Sequence, residues 1–359
     1  MKGSRRAICI YLVEPFLLRN GNRKFLYHQN FGQALLIAYL LKERGFVVDV
    51  LDYRNNEDLS VVTNGYDLLI SHRYELGPFG QSLPTRTRKL YLASGMNHRV
   101  SNKKLRERHE YLRKRRGCVL SNLKWTDENI EFPREADAVA GFGNSYTVGT
   151  WHPDVKGPIY PFNNYGFDWT EPIQREISRA KKNFLFFGSG QQLLKGLDLV
   201  LEFFPSHPEL QLFVCGKFRD DPDFCRCYEM ELFQSDNVHA IGFIRTDSHA
   251  FHRIASQCAF VIHPSCSEGQ PGSTIQCMHT GMIPIVTRES GIDVEEFGIL
   301  LTDVSVEGIE SVVLNAAQMN DQTLKRMSDL TKSTAKSEYS KEAFKKRWRT
   351  IIDEVAPMA

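Results

Sequence analysis

Short apolar runs alternate with longer amphipathic stretches through the first half of the chain. Such alternation predicts strands separated by helices, and therefore a parallel sheet with helices on both faces. A helical pattern over 31–44 ends at Gly45, and glycine commonly terminates helices. The predicted strands of this half are 7–13, 46–52, 66–72, 89–94, 137–141 and 157–160.

The alternation pauses over 168–183, a polar segment that contains a proline and precedes a strongly apolar run. We interpret this segment as a linker, because exposed polar stretches commonly join domains. A length of 359 residues fits two domains of ordinary size, and we predict them over 1–170 and 171–340, followed by a terminal helix over 341–359. The predicted strands of the second half are 184–188, 210–216, 237–244, 258–264, 282–287 and 299–303.

The composition is typical of a globular protein, with 42% hydrophobic and 25% charged residues. The longest strongly apolar run, at 34–41, is much shorter than the roughly 20 residues of a membrane helix, so we expect none. The 8 cysteines are scattered along the chain, which suits a reducing compartment such as the cytoplasm. Cys225 and Cys227 lack the spacing of a zinc site, so we expect no metal.

Charge is distributed unevenly between the two halves. Residues 1–170 hold 25 Lys and Arg against 17 Asp and Glu, whereas the remainder holds 20 against 26. The excess is concentrated between Arg99 and Arg116, where 9 basic residues accompany 2 acidic ones. This basic stretch predicts contact with phosphates, either on a membrane surface or on an anionic acceptor. The alternative is a helix face that is simply solvated.

The segment HPSCSEGQPGSTIQCMHTGMIPI at 263–285 combines a strand end, a glycine-rich loop and a helix that begins near Gly272. Backbone amides at a helix start bind anions, and Ser273 and Thr274 add hydroxyl donors. Glu268 stands beside these amides and can accept hydrogen bonds from neutral hydroxyl groups. The combination predicts a site for a sugar attached to a phosphate. The alternative is that Glu268 is an ordinary loop residue.

A second glycine-rich turn, GSGQQLLKG at 188–196, follows an apolar strand and precedes an amphipathic helix. Lys195 can supply a positive charge to a diphosphate, while Gly188 and Gly190 leave room for its close approach. The third glycine of a dinucleotide fingerprint is missing, which disfavours a nicotinamide oxidoreductase. A surface lysine in front of a helix is also common without any such role.

Five motifs, taken in order, resemble the family 4 glycosyltransferases, which are retaining enzymes with the GT-B fold. The matching stretches are KGLD at 195–198, LQLFVCG at 210–216, VHAIGFI at 238–244, HPSCSEG at 263–269 and GMIPIVT at 281–287. The order and spacing of the five are more specific than any one of them. The resemblance implies an α/β fold of two Rossmann-like domains that face an interdomain cleft, with the terminal helix crossing back to the first domain.

The resemblance also implies roles for individual residues. Lys195 corresponds to the lysine that holds the donor diphosphate, and Glu268 to the first of two glutamates, which contacts the donor sugar. Ile244 falls where backbone groups meet the nucleobase, and His98 follows a strand end where it would contact the sugar. The predicted catalytic residues are Glu268, His98 and Lys195, and the predicted donor-binding residues are Gly188, Ser189, Gly190, Ile244, Gly269, Gln270, Gly272, Ser273, Thr274 and Gln276.

The chain departs from the family pattern at three places. The second glutamate is replaced by Gln276, which can hydrogen-bond a ribose hydroxyl but carries no charge. The arginine expected five positions before Lys195 is Gly190, so one phosphate partner is absent. The amino-terminal glycine pair is also missing, around His28. We expect the lost cation to be compensated, with Arg23, Lys24 and His28 as candidates.

We therefore predict a retaining glycosyltransferase that moves a sugar from a nucleotide-sugar donor to a glycan or lipid-linked acceptor, in polysaccharide or glycoconjugate synthesis. We expect it to need no cofactor and no metal, to bind no nucleic acid, and to reside in the cytoplasm, with peripheral contact at the inner membrane face. The alternatives are a non-catalytic nucleotide-sugar-binding partner of an active transferase and a GT-B nucleotide-sugar epimerase. The motifs do not specify the sugar, the base or the acceptor, because those contacts come from loops without a shared pattern.

Overall fold

The structure is a computed structural model that describes residues 5–19, 21–26, 28–54, 65–167 and 173–357. Contacts within the chain divide it into two compact units. The predicted domain boundary, between residues 170 and 171, lies outside the described residues. The first unit comprises Met1–Asn97, Asp127–Asn164 and Lys341–Ala359, and the second comprises His98–Thr126 and Tyr165–Ser340.

Every strand that the apolar runs predict is present. In the described residues the strands are β1 Arg5–Tyr11, β2 Phe46–Asp52, β3 Leu68–Ser71, β4 Arg88–Ala93, β5 Ala138–Phe142, β6 Ile159–Phe162, β7 Asn183–Phe187, β8 Gln211–Cys215, β9 Val238–Gly242, β10 Phe260–His263, β11 Ile283–Thr287 and β12 Ile299–Leu301. The helices are α1 Glu14–Leu17, α2 Gln29–Glu43, α3 Gly77–Ser82, α4 His98–Arg116, α5 Glu131–Glu135, α6 Ser145–Gly149, α7 Ile177–Ala180, α8 Gln192–Lys195, α9 Leu197–Phe203, α10 Pro222–Cys227, α11 Glu229–Phe233, α12 His249–Gln257, α13 Gly272–His279, α14 Val306–Gln318, α15 Asp321–Glu338 and α16 Lys341–Val355.

The first unit is built on a parallel sheet with the strand order β2-β1-β3-β4-β5-β6. Two of its inner strands, β3 and β5, are buried along their whole length, which explains why they read as continuous apolar runs rather than as alternating ones. Tyr91 packs edge-on against Trp151, with ring centroids 5.2 Å apart, in the core beside the sheet.

The terminal helix α16 is part of the first unit. Its apolar residues recur at helical spacing, and Phe344 and Trp348 pack against Phe162 of β6 with ring centroids 5.8 and 5.2 Å apart. On its other side, Asp353 Oδ2 accepts a hydrogen bond of 2.8 Å from Arg44 Nη2 at the end of α2. The amphipathic pattern of the last residues is therefore explained by packing within this unit.

The second unit is built on a parallel sheet with the strand order β12-β11-β10-β7-β8-β9. Strands β8 and β9 extend the sheet on one side of β7. The chain then crosses back, and β10, β11 and β12 extend the same sheet on the other side of β7. This is the strand order of the Rossmann fold, in which ligands bind beyond the carboxyl ends of the two strands at the crossover. Here those ends are Phe187 and His263.

The basic helix α4 groups with the second unit, although the sequence pattern places it in the first domain. Opposite charge explains the difference. Asp198 of α9 is fully buried and lies 2.6 Å from Arg115 Nη2 and 3.6 Å from Arg108 Nη1. Arg116 pairs with Glu231 at 2.7 Å and Lys104 with Glu289 at 3.0 Å. Four of the basic residues of α4 therefore attach it to this unit.

A disulfide bond joins Cys118, just beyond α4, to Cys227 at the end of α10. The positions of the cysteines do not indicate this pairing, because the two residues are 109 positions apart in the chain. Ser121 N donates to Asp223 Oδ2 nearby, at 3.2 Å. The segment after α4 is thus attached to α10 by covalent and polar contacts.

We predict that Asp198→Asn destabilises the protein strongly, because it leaves the buried Arg108 and Arg115 without their shared carboxylate. Removing one partner of a buried ion pair costs about 3–5 kcal/mol. Asp321→Asn is the matched control, since its pair with Lys181 is solvent-exposed and is worth about 0–1 kcal/mol. Urea unfolding measures both free energies, and equal values for the two variants would contradict the assignment.

Candidate functional site

Two loops of the second unit meet at the crossover of its sheet. One follows β7 and covers 188–191 before α8, and the other follows β10 and covers 264–271. The backbone oxygen of Leu194 accepts hydrogen bonds from Cys266 N at 2.9 Å and from Ser265 Oγ at 3.1 Å. Gly196 has a φ of 80°, and a Cβ there would lie 2.3 Å from Pro264 O. Only glycine permits this approach.

The meeting of the loops brings Lys195 and Glu268 into a direct ion pair between Nζ and Oε1. Both side chains are largely buried, with 13% and 17% exposure. A lysine ammonium has three donors, so Lys195 can hold a second anion while it remains paired with Glu268. The sequence predicted both residues as site residues, and the structure places them in contact.

A third ionisable residue lies behind the pair. His263, the last residue of β10, is fully buried, and its Nε2 is 3.5 Å from Glu268 Oε1. Its ring stacks on Phe186, with an interplanar angle of 17°. Burial lowers the pKa of His263 below its usual value of 6.5, against a smaller opposing effect of Glu268. The sequence pattern does not single out this residue, because a histidine in an apolar strand usually belongs to the core.

The carboxyl group of Glu268 is ionised at neutral pH. Burial raises its pKa, but the positive charge of Lys195 and the contact with His263 lower the pKa by a larger amount. The net effect brings the pKa from 4.5 to about 2. The site therefore holds a fixed negative charge next to a fixed positive one. A carboxylate in this state accepts hydrogen bonds from hydroxyl groups.

Helix α13 begins beside this pair, as predicted, with Pro271 at its N-cap position and Gly272 as its first residue. Its amino end carries the partial positive charge of the helix dipole. Ser273 Oγ donates a hydrogen bond of 2.6 Å to Phe187 O, at the end of β7. Thr274 is fully buried. Among the described residues, the Thr274 hydroxyl has no hydrogen-bond partner. Because the Ser273 hydroxyl is engaged, the backbone amides and the Thr274 hydroxyl are the groups that α13 can offer to an anion.

Two predicted donor-binding glutamines are engaged in backbone contacts. Gln276 is fully buried, accepts from Phe167 N at 2.7 Å and donates to Phe167 O at 3.1 Å. Gln270 donates to Gly291 O at 2.7 Å. These contacts fix neighbouring segments of the second unit, and a role in donor binding stays a prediction for both residues.

The loops after β7, β8 and β9 lie side by side. Gly188 N donates to Cys215 O at 3.0 Å, and a Cβ on Gly216 would lie 2.1 Å from Gly188 O. Ser189 is exposed, and a Cβ on Gly190 would meet no atom within 4 Å. Ile244, beyond β9, is half-buried against the cluster around Phe251. All of these predicted residues follow strand ends of one sheet.

His98 is the first residue of α4 and is buried within the second unit. One helical turn further on, Ser101 Oγ accepts a hydrogen bond of 2.9 Å from Ser267 Oγ, next to Glu268. The start of α4 therefore adjoins the loop that carries Glu268. The predicted contact of His98 with a donor sugar stays a prediction.

The suggested replacements for the missing arginine belong to the first unit. Lys24 Nζ pairs with Glu14 Oε1 at 2.6 Å, and His28 caps α2 by accepting a hydrogen bond from Asn30 N at 3.2 Å. Arg23 lies in the same short turn as Lys24. In the described residues of the second unit, no group of three or more His, Cys, Asp or Glu is arranged to hold a metal ion.

Residues 169–319, which include Lys195 and Glu268, match the family described as glycosyl transferases group 1. The sequences of curated proteins contain no significant match to the chain.

Solved structures match over nearly the whole chain. HepE from Anabaena, in complex with UDP and glucose, has a TM-score of 0.61 and 12% identity, over 99% of this chain and 100% of HepE. Sucrose-phosphate synthase from Thermosynechococcus elongatus has a TM-score of 0.62 and 15% identity, over 98% and 99%. WaaG, a glycosyltransferase involved in lipopolysaccharide biosynthesis, has a TM-score of 0.58 and 14% identity, over 98% and 100%. These likenesses confirm the predicted GT-B architecture of two Rossmann-like domains, and with the family match they support a glycosyltransferase.

We predict a specific pH dependence of stability from the depressed pKa of Glu268. A carboxyl group with a folded pKa of about 2 and an unfolded value near 4.5 stabilises the folded state above pH 4.5, and this contribution is lost as the pH falls towards 2. The difference in unfolding free energy between wild type and Glu268→Gln should therefore shrink over that interval. Because a pKa unit corresponds to about 1.4 kcal/mol, the change should amount to a few kcal/mol.

Lys195→Met provides the internal check. It removes the main cation while burial persists, so the pKa of Glu268 should rise and the acid-dependent difference should disappear in this background. Urea titrations between pH 5 and pH 2.5 measure these differences, and a difference that does not vary with pH in wild type would refute the ionised pair.

Proposed function

We propose that the protein is a retaining glycosyltransferase that transfers a sugar from a nucleotide-sugar donor to an acceptor hydroxyl. The observation that carries the proposal is the contact between Lys195 and Glu268 beside the amino end of α13. A cation and helix amides suit a diphosphate, and an ionised carboxylate next to them suits the hydroxyls of an attached sugar. Few other ligands combine these two features.

In the proposed reaction, the acceptor oxygen forms a bond with the anomeric carbon on the face from which the diphosphate leaves. The bond between that carbon and the phosphate oxygen breaks, and the acceptor proton passes to the leaving phosphate. Lys195 and the α13 amides stabilise the charge that develops on the phosphate, which is the main contribution expected of a preorganised site. Glu268 orients the sugar. No metal takes part in this scheme.

The proposed partners follow from the same chemistry and from the neighbours. HepE binds UDP-glucose, and WaaG acts in lipopolysaccharide biosynthesis. We infer a glycan or lipid-linked acceptor and a role in polysaccharide or glycoconjugate synthesis. A cytoplasmic location is part of the proposal, although the bond between Cys118 and Cys227 counts against it, because disulfides are rare in the reducing cytosol.

A release assay tests the proposal. We expect purified protein with UDP-glucose, GDP-mannose and related donors, in the presence of EDTA and a glycan extract, to release a nucleoside diphosphate. Glu268→Ala and Lys195→Ala should abolish release, because each removes one half of the pair. Glu342→Ala and Lys345→Ala are matched controls, since they remove a surface ion pair of the first unit and should leave release unchanged.

The remaining outcomes separate the alternatives. Donor binding without turnover would indicate a non-catalytic partner of an active transferase. An altered nucleotide sugar, formed without any acceptor, would indicate an epimerase. Loss of activity on adding EDTA, restored by a divalent cation, would contradict the metal-free scheme.

We also propose peripheral contact with an anionic membrane surface through the part of α4 that faces solvent. Four basic residues of α4 are paired with acids of the second unit, but Lys103, Arg106 and Lys114 are exposed. Trp125, which lies under the guanidinium of Arg106, is 46% exposed. In the part of the chain that the structure describes, no helix is long and apolar enough to cross a membrane.

Vesicle sedimentation tests this contact. We expect stronger binding to phosphatidylglycerol vesicles than to phosphatidylcholine vesicles, because each basic residue near an anionic surface contributes about 1 kcal/mol. Replacing Lys103, Arg106 and Lys114 by Gln should weaken the binding. The same change at Lys325, Lys332 and Lys336 of α15 alters net charge equally and should not; equal loss in both variants would mean that net charge alone determines binding.

A further inference from the structure

The imidazole of His263 has an arrangement that packing alone does not explain. It is fully buried at the end of β10, and neither ring nitrogen has a hydrogen-bond partner in the described part of the chain. The other residues of this strand are Phe260, Val261 and Ile262. An apolar side chain would stack on Phe186 equally well and would carry no desolvation cost. Among the described residues, the Glu268 carboxylate lies 3.5 Å from Nε2 of this ring.

The geometry distinguishes the two oxygens of Glu268. Lys195 Nζ contacts Oε1, and His263 Nε2 faces the same Oε1. Among the described residues, no hydrogen bond to Oε2 is formed. A carboxylate that is held through one oxygen presents the other in a fixed direction. Oε2 is therefore the oxygen available to a ligand hydroxyl.

The protonation state of the ring suits this arrangement. Burial lowers the pKa of His263, so the ring is neutral and carries a single N–H. Only the tautomer with the proton on Nε2 directs a donor towards Glu268. A neutral N–H at Nε2 faces Oε1 across 3.5 Å and adds no second positive charge next to Lys195.

We propose that His263 is a positioning residue, which restrains Glu268 through Oε1 so that Oε2 meets the hydroxyls of the donor sugar. The proposal rests on the proposed function, because it assigns the ligand of Glu268 as a sugar. It predicts that His263 affects binding of the sugar part of the donor more than binding of its diphosphate part, which Lys195 and α13 hold.

The test compares the affinity for a nucleotide sugar with the affinity for the same nucleoside diphosphate, using UDP-glucose with UDP and GDP-mannose with GDP in calorimetry. We expect His263→Phe, which keeps the ring and removes the donor, to reduce the preference for the nucleotide sugar by roughly tenfold. His263→Gln places an amide N–H near the position of Nε2 and should restore most of the preference. His263→Asn, whose shorter amide corresponds to Nδ1, should not.

His279→Phe is the matched control. His279 is also buried in the second unit, and its Nε2 lies 2.9 Å from Tyr339 O. Its replacement should lower the unfolding temperature and leave the preference unchanged. The contrast between Gln and Asn at position 263 remains informative if His263→Phe does not fold, because both are amides of similar polarity.

The outcomes separate the two proposals. If wild type binds none of the nucleotide sugars, the proposed function fails. If wild type binds one of them, and Glu268→Ala loses the preference while His263→Phe and His263→Asn keep it, the function stands and the positioning role is overturned. Equal preference in the Gln and Asn variants would likewise overturn it.

Discussion

The second unit depends on keeping an ionised carboxylate in a largely buried position. Burial raises the pKa of Glu268, and the charge of Lys195 is the first of the influences that lower it, to about 2. The two residues are 73 positions apart in the chain, so their contact requires two separate loops to be fixed against each other. The crossover of the sheet brings the two loops together, because β7 and β10 are neighbouring strands and each loop begins at the carboxyl end of one of them.

Several separate contacts stabilise the place where these two loops meet. Gly196 lets α8 turn into α9 against Pro264, and the oxygen of Leu194 accepts hydrogen bonds from the opposing loop. Arg108 of α4 donates to Pro264 O at 3.2 Å while it lies near the buried Asp198. Helix α4 therefore contacts the loop that carries Glu268 and stabilises it. Part of the basic charge that suggests an anionic ligand serves to dock a helix onto an acidic surface of the same unit.

The sequence predicts the strands well, for physical reasons, and it selects Lys195 and Glu268 as site residues without predicting the ion pair between them. Buried parallel strands require continuous apolar runs, and a Cβ on Gly188 would lie 2.9 Å from Lys195 Cδ, so this glycine allows a close approach. The attachment of α4 could not be predicted, because it depends on Arg115 meeting Asp198 and on Cys118 meeting Cys227, and no periodicity connects positions so far apart. His263 was not predicted as a site residue, because only its distance to Glu268 makes it relevant. The apolar pattern of the strand gives no information about that distance.

Gln276 shows how a departure from the family pattern can follow from local structure. Its amide accepts a hydrogen bond from Phe167 N and donates one to Phe167 O, so it satisfies both backbone polar groups of that residue. A glutamate could accept from the N–H, but its second oxygen would face the carbonyl oxygen of Phe167, with a repulsive charge in a fully buried place. An amide is therefore the side chain that satisfies this backbone. A consequence is that position 276 contributes no charge to the site, where the carboxylate is that of Glu268.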